Sequence, residues 1–69
     1  MVKMDILDYG IYCNGEHFAD SDKVDLAKKM AVEIAKEEES DVVIINNFTG
    51  EVIAIYEVKF RLEIIEVEP

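Results

Sequence analysis

Hydrophobic and polar positions divide this chain into strand-like alternation at both ends and one helical stripe between them. Residues 3 to 13 alternate in two phases, with Val2, Met4 and Ile6 in one and Leu7, Tyr9, Ile11 and Cys13 in the other. The switch at Ile6-Leu7 predicts a bulge or bend. Cys13-Asn14-Gly15-Glu16 then reads as a two-residue hairpin, because Asn and Gly both tolerate the positive φ of a type I′ turn. That register sets Cys13 opposite Glu16, Tyr12 opposite His17 and Ile11 opposite Phe18.

Between residues 22 and 39 the period changes. Leu26, Met30 and Ile34, with Ala27, Ala31 and Ala35, recur at three- and four-residue spacing and predict one broad apolar helix face. Asp20-Ser21-Asp22 supplies candidate N-caps. Asp25, Lys28, Lys29, Glu33 and Lys36 form the solvated side, where Val32 stands as a lone apolar residue.

Two stretches after the helix contain no polar residue: Val42-Val43-Ile44-Ile45 and Val52-Ile53-Ala54-Ile55-Tyr56. Side chains of a strand alternate between two faces, so an all-apolar strand requires both faces to be shielded from water. A tight turn at Asn47-Phe48-Thr49-Gly50 would pair Ile44 with Ile53 and Val43 with Ala54. One face then shows Val42, Ile44, Ile53 and Ile55, the other Val43, Ile45, Val52 and Ala54. A single helix covers only one of them.

From Glu51 to Val67 a continuous strand would reach about 55 Å, against about 27 Å for the helix. The segment is therefore expected to bend near Tyr56-Glu57 or to form two strands. Residues 60 to 67 would pair with the amino-terminal strand, curl over the sheet, or cross to a second copy. The expected architecture is one α+β domain over residues 1–69. It has a four- to five-stranded, mainly antiparallel sheet with one helix on one face, in the order β-β-α-β-β.

Charge narrows the partners. Seven Lys and Arg against sixteen Asp and Glu in 69 residues leave 7 − 16 = −9. Such a chain repels nucleic acid and anionic membrane surfaces and suits a basic protein surface. Carboxylates gather in Glu37-Glu38-Glu39-Ser40-Asp41, at a helix end that electrostatically prefers Lys or Arg. The hairpin places Glu57 near them. Glu37, Glu38, Glu39, Asp41 and Glu57 are accordingly the expected partner-binding residues.

No catalytic constellation stands out, and neither a cofactor nor a metal is expected. Cys13 and His17 fall on opposite faces of their hairpin, and four zinc ligands are not available from one Cys and one His. Phe48 is anomalous at a turn tip, as a contact residue or as a ring folded back over its hairpin. A single cysteine, no leader-like start and no long apolar run suggest a soluble cytoplasmic protein.

Tyr12-Cys13-Asn14-Gly15-Glu16, the Ala-rich helix and Thr49-Gly50-Glu51-Val52 resemble small bacterial and phage proteins of β-β-α-β-β order. The resemblance implies that arrangement and no functional residue. The functional expectation is a small acidic, non-enzymatic interaction module, homodimeric through its sheet face or carboxy-terminal strand. A phage-type inhibitor fits that description: it would bind the basic nucleic-acid-binding surface of a host defence protein. The alternative is a small ligand- or cation-binding domain at the acidic end.

Overall fold

A computed structural model describes residues 7–59 and 63–69. The elements run β1 (Tyr9–Cys13), β2 (Glu16–Ser21), α1 (Val24–Glu38), β3 (Val42–Asn46), β4 (Val52–Lys59) and β5 (Glu63–Val67). All five strands join one antiparallel sheet in the order β2-β1-β3-β4-β5. The fold is α+β as expected, with one strand more than the β-β-α-β-β order, because the long carboxy-terminal segment forms two strands. β5 folds back onto β4 rather than pairing with the amino-terminal strand, curling over a face or reaching outward. The phase switch expected at Ile6-Leu7, and the positions of Val2, Met4, Ile6, Phe60 and Leu62, lie at or beyond the limits of the described residues.

The Asn-Gly turn forms as its chemistry dictates, with φ of 54° at Asn14 and 79° at Gly15. Cys13 pairs with Glu16 and Tyr12 with His17, but Ile11 faces Ala19 rather than Phe18. One extra residue on β2 shifts the register and leaves Phe18 40% exposed. A second shift follows the β3–β4 turn. Asn46 accepts from Gly50 N at 2.8 Å through its carbonyl and donates to the Glu51 carbonyl at 2.8 Å. Its side-chain Oδ1 also accepts from Phe48 N at 2.8 Å and Thr49 N at 3.1 Å. Ile45 then pairs with Val52 as the tight turn requires, yet Ile44 pairs with Ala54 and Val43 with Ile55. Ile53 is the extra residue. The expected faces are therefore corrected from that point on: Ala54 and Tyr56, not Ile53 and Ile55, align with Val42 and Ile44.

The helix begins later than expected. Lys23, extended at φ −126°, occupies the N-cap position without a side-chain cap bond. Ser21 ends β2 and braces the junction instead; its Oγ accepts from Lys23 N at 3.1 Å and donates to the Lys23 carbonyl at 3.0 Å. Asp20 and Asp22 are not the cap.

Core and helix orientation follow from side-chain size. Ala27, Ala31 and Ala35 are fully buried, and Ile11, Cys13, Val42, Ile44, Ala54 and Tyr56 rise from the sheet beneath them. Small residues let the helix backbone approach the sheet, and the larger sheet side chains fill the space between. This rotates the helix away from the expected stripe. Leu26 turns out to 47% exposure, Met30 and Ile34 flank the core toward β2, and Val32 packs against the core instead of standing in solvent.

Candidate functional site: an apolar sheet face and an acidic end

Strand pairing arranges the sheet side chains in rows. On the helix side, Glu16, Cys13, Val42, Tyr56 and Glu66 lie side by side from β2 to β5. On the opposite side the neighbouring row is His17, Tyr12, Val43, Ile55 and Val67. Ile45 and Val52 continue this second face beside Gly10, and Ile65 extends it on β5. Its middle carries no charge. No element formed by the described residues lies over it, since α1 occupies the other side. The two-sided apolar character expected of β3 and β4 is thus present, with its second face made of Val43, Ile45, Val52 and Ile55.

One edge of this face is polar and closely fitted. His17 Nε2 lies 2.9 Å from Asp20 Oδ1, and the His17 ring meets Tyr12 edge-on with centroids 5.2 Å apart. Asn47 Nδ2 donates to the same Asp20 Oδ1 at 3.1 Å and to the Leu7 carbonyl at 2.7 Å. Hydrogen bonds from His17 and then Asn47 hold the Asp20 carboxyl below its ordinary range, against the opposing effect of burial. Gly10 is required here. A Cβ at that position would stand 2.6 Å from Asn47 Oδ1 and 2.9 Å from the Tyr12 ring. This cluster was not foreseen, because residues 10, 12, 17, 20 and 47 meet only through strand pairing.

The carboxylates gather at one end. Glu37 and Glu38 finish α1, and Glu39 terminates it in the left-handed conformation at φ 51°. Ser40 Oγ donates to the Glu38 carbonyl at 3.1 Å. Asp41 Oδ1 accepts from Val58 N at 3.0 Å, which ties the start of β3 to β4 beside Glu57. Glu57 Oε1 in turn sits 3.0 Å from Lys59 Nζ. The structure therefore brings Asp41 and Glu57 together but employs them, one as a backbone acceptor and one in an ion pair. Glu16, Glu37, Glu38 and Glu39 are exposed and make no ion pair among the described residues. Glu16 belongs to this end by strand pairing, and sequence spacing alone did not place it there.

The same end surrounds the thiol. Burial foremost, then the fields of Glu38, Asp41 and Glu16, push the Cys13 thiol upward. Only the thiolate reacts readily, so the native protein is expected to resist iodoacetamide at pH 7.5 and to alkylate only after unfolding. Complete labelling of native protein within minutes would contradict that burial. Cys13 and His17 sit on opposite faces, as the hairpin register requires, and cannot act together. Among the described residues no three His, Cys, Asp or Glu side chains converge to hold a metal ion.

At the far end of the helix-side row, Tyr56 Oη donates to Glu66 Oε1 at 2.8 Å, while Lys28 Nζ lies 3.1 Å from Oε2. This ties α1, β4 and β5 together. The Tyr56 bond and then Lys28 lower the Glu66 carboxyl, whereas burial first and Glu66 second raise the Tyr56 hydroxyl. A lowered carboxyl contributes stability above its unfolded value of about 4.3, lost as pH falls through the folded value. A raised tyrosine contributes below its unfolded value of about 10, lost as pH climbs above it. Tyr56→Phe is therefore expected to cost about 1–2 kcal/mol at pH 7, to flatten the acid limb of stability against pH, and to remove part of the alkaline loss. Urea melts between pH 3 and 11 check both limbs; unchanged limbs would show that this bond carries nothing.

Two further features mark the surface. Phe48 is 64% exposed at the β3–β4 turn, so the ring does not fold back over its hairpin. Phe18, Ala19, Met30 and Ile34 line an apolar groove of about 390 Å³ between β2 and α1, with Lys29 and Glu33 at its rim. No helix among the described residues is long and apolar enough to cross a membrane. Comparison with known protein families, with curated proteins and with solved structures finds no match to this chain.

Proposed function

We propose that this chain is a non-enzymatic interaction module that pairs with a second copy through its apolar sheet face and offers its acidic end to a basic protein surface. The observation that carries this is the charge-free row Tyr12, Val43, Ile55 and Val67 spanning β1, β3, β4 and β5, with no described element over it. Contiguous apolar surface of this kind marks an interaction site. The chain's own face is a suitable cover, because the −9 charge sits around that surface and not in its centre.

The acidic end supports the second half of the reading. Glu16, Glu37, Glu38 and Glu39 make no ion pair among the described residues, and a helix C-terminus adds partial negative charge to them. Such a field attracts and orients a Lys- or Arg-rich surface more than it supplies raw affinity. Nucleic-acid-binding proteins offer surfaces of that chemistry. An inhibitor of the phage-encoded sort, occupying such a surface on a host defence protein, is one case within the reading.

Sedimentation equilibrium tests the first half. A dimer is expected at tens of micromolar, with monomers for Ile55→Lys and for Ile65→Lys, the latter at a position already 38% exposed. Binding to poly-lysine tests the second. Glu37→Gln, Glu38→Gln and Glu39→Gln together should weaken it far more than Asp22→Asn, Asp25→Asn and Glu33→Gln together. A monomeric wild type refutes the dimer, and equal losses in the two triple variants refute the acidic end.

A further inference from the structure

The two edges of the sheet are unlike. β2, at one edge, is broken by the bulge at Phe18, a device that spoils the regular spacing of outward-facing backbone groups. β5, at the other, pairs residue for residue with β4 from Glu63 to Val67 without interruption. Among the described residues β5 has hydrogen-bond partners on one side only, so it presents a regular ladder of backbone donors and acceptors along its outer side. Its deterrents are carboxylates alone, which repel a like-charged strand but not a basic one. Residues 63–69 contain no Lys and no Arg, and the only proline, Pro69, comes after the strand has ended.

We infer that β5 is a docking edge for an extended segment of a partner protein, in which apolar residues alternate with Lys or Arg. The inference rests on the proposed interaction module and names the element of the partner that this edge accepts. Main-chain pairing supplies affinity in strand addition, and alternate side chains supply specificity. On the face away from α1, an added strand would lie beside Ile65 and Val67 and prolong the row that runs through Ile55 and Val43. Apolar side chains suit that side. Glu63, opposite Lys59, starts the apolar side, whereas Glu66 and Glu68 alternate to the helix side of the same edge, where Lys28 offsets only Glu66. Basic side chains suit those positions. A second copy is the poorer occupant, because β5 against β5 would crowd six carboxylates with no base from either strand.

The test uses the full chain, isotope-labelled for NMR, and a capped probe peptide of sequence Lys-Val-Lys-Val-Lys-Val-Lys. Expected are shift changes and at least tenfold slower amide exchange at Glu63–Val67, with β2 unaffected. The same peptide N-methylated at every residue keeps its charge but has no backbone donor on either edge, and should bind at least tenfold more weakly. Equal binding of the two peptides, or shifts confined to Glu37–Glu39, would reduce the effect to charge attraction and overturn the inference. Cross-strand contacts between β5 of two copies in peptide-free protein would also overturn it by assigning the edge to the chain itself. A monomeric wild type in sedimentation would refute the proposed face-to-face dimer yet leave the peptide result fully readable.

Discussion

Ile44→Ala is expected to destabilise the protein by about 3–4 kcal/mol. Ile44 sits at the middle of β3, the central strand, fully buried, between Ile11 on β1 and Ala54 on β4. Truncation removes three methyl or methylene carbons from contact with both neighbours and with the helix above. Collapse around the gap is restricted, because the facing helix residues are alanines with no side chain to swing inward. A chain of 69 residues holds only about 5–10 kcal/mol in total, so this change consumes a large share. Urea unfolding followed by circular dichroism measures it; a loss below about 1 kcal/mol would mean the core can refill the space.

Ala31→Leu is expected to be nearly as harmful from the opposite direction, at about 3 kcal/mol. Leucine is a good helix former, so the penalty would not come from propensity. It would come from three extra carbons forced between a fully buried helix position and the sheet, where Ile11 and Ile44 already fill the space. Leu26→Ala supplies the contrast. That residue is 47% exposed, and its loss should cost under about 1 kcal/mol. At about 4–8 °C per kcal/mol for a domain this small, the two variants should melt at least about 8 °C apart. Similar melting temperatures would show that the helix does not lie as close to the sheet as three buried alanines require.

These substitutions also show which parts of the fold can be read from sequence. Asn14-Gly15 determines its hairpin locally, and the helical period over Ala27, Ala31 and Ala35 marks a buried face without outside help. The bulges at Phe18 and Ile53 leave no such trace. Around Ile53 both phases are apolar, so adding one residue changes which side chains face the helix but leaves the pattern uniformly hydrophobic; β2 is too polar for its phases to mark an inner face at all. Helix rotation is hidden for a related reason. Hydrophobicity ranks Leu26 above Ala27, whereas proximity to the sheet favours the smaller residue.

The candidate surface divides in the same way. The uncharged character of β3 and of β4 as far as Tyr56 is visible residue by residue, and so is the acidic run from Glu37 to Asp41. The addition of Glu16, the employment of Asp41 and Glu57, and the grouping of Tyr12, His17, Asp20 and Asn47 around Gly10 all depend on register. Register here is decided by two single-residue shifts that local chemistry does not announce. Of the two readings of Phe48, the folded-back ring fails because the Asn46 side chain caps the turn on its own backbone amides and leaves the ring outside.

The strand order carries a consequence for the nascent chain. β1 leaves the ribosome before either of its neighbours, and one of them, β3, follows it by some thirty residues. Until Asn46 has emerged, the β1–β2 hairpin has only α1 to pack against and lacks the neighbouring strand that completes the shelter of Ile11. Once β3 is in place, its other edge remains bare until β4 arrives, and β4 in turn waits for β5. A nascent chain that has emerged only as far as Gly50 would therefore hold a half-built sheet with its stickiest edge open. Such chains should be the principal targets of chaperones and the most prone to cross-pair with one another.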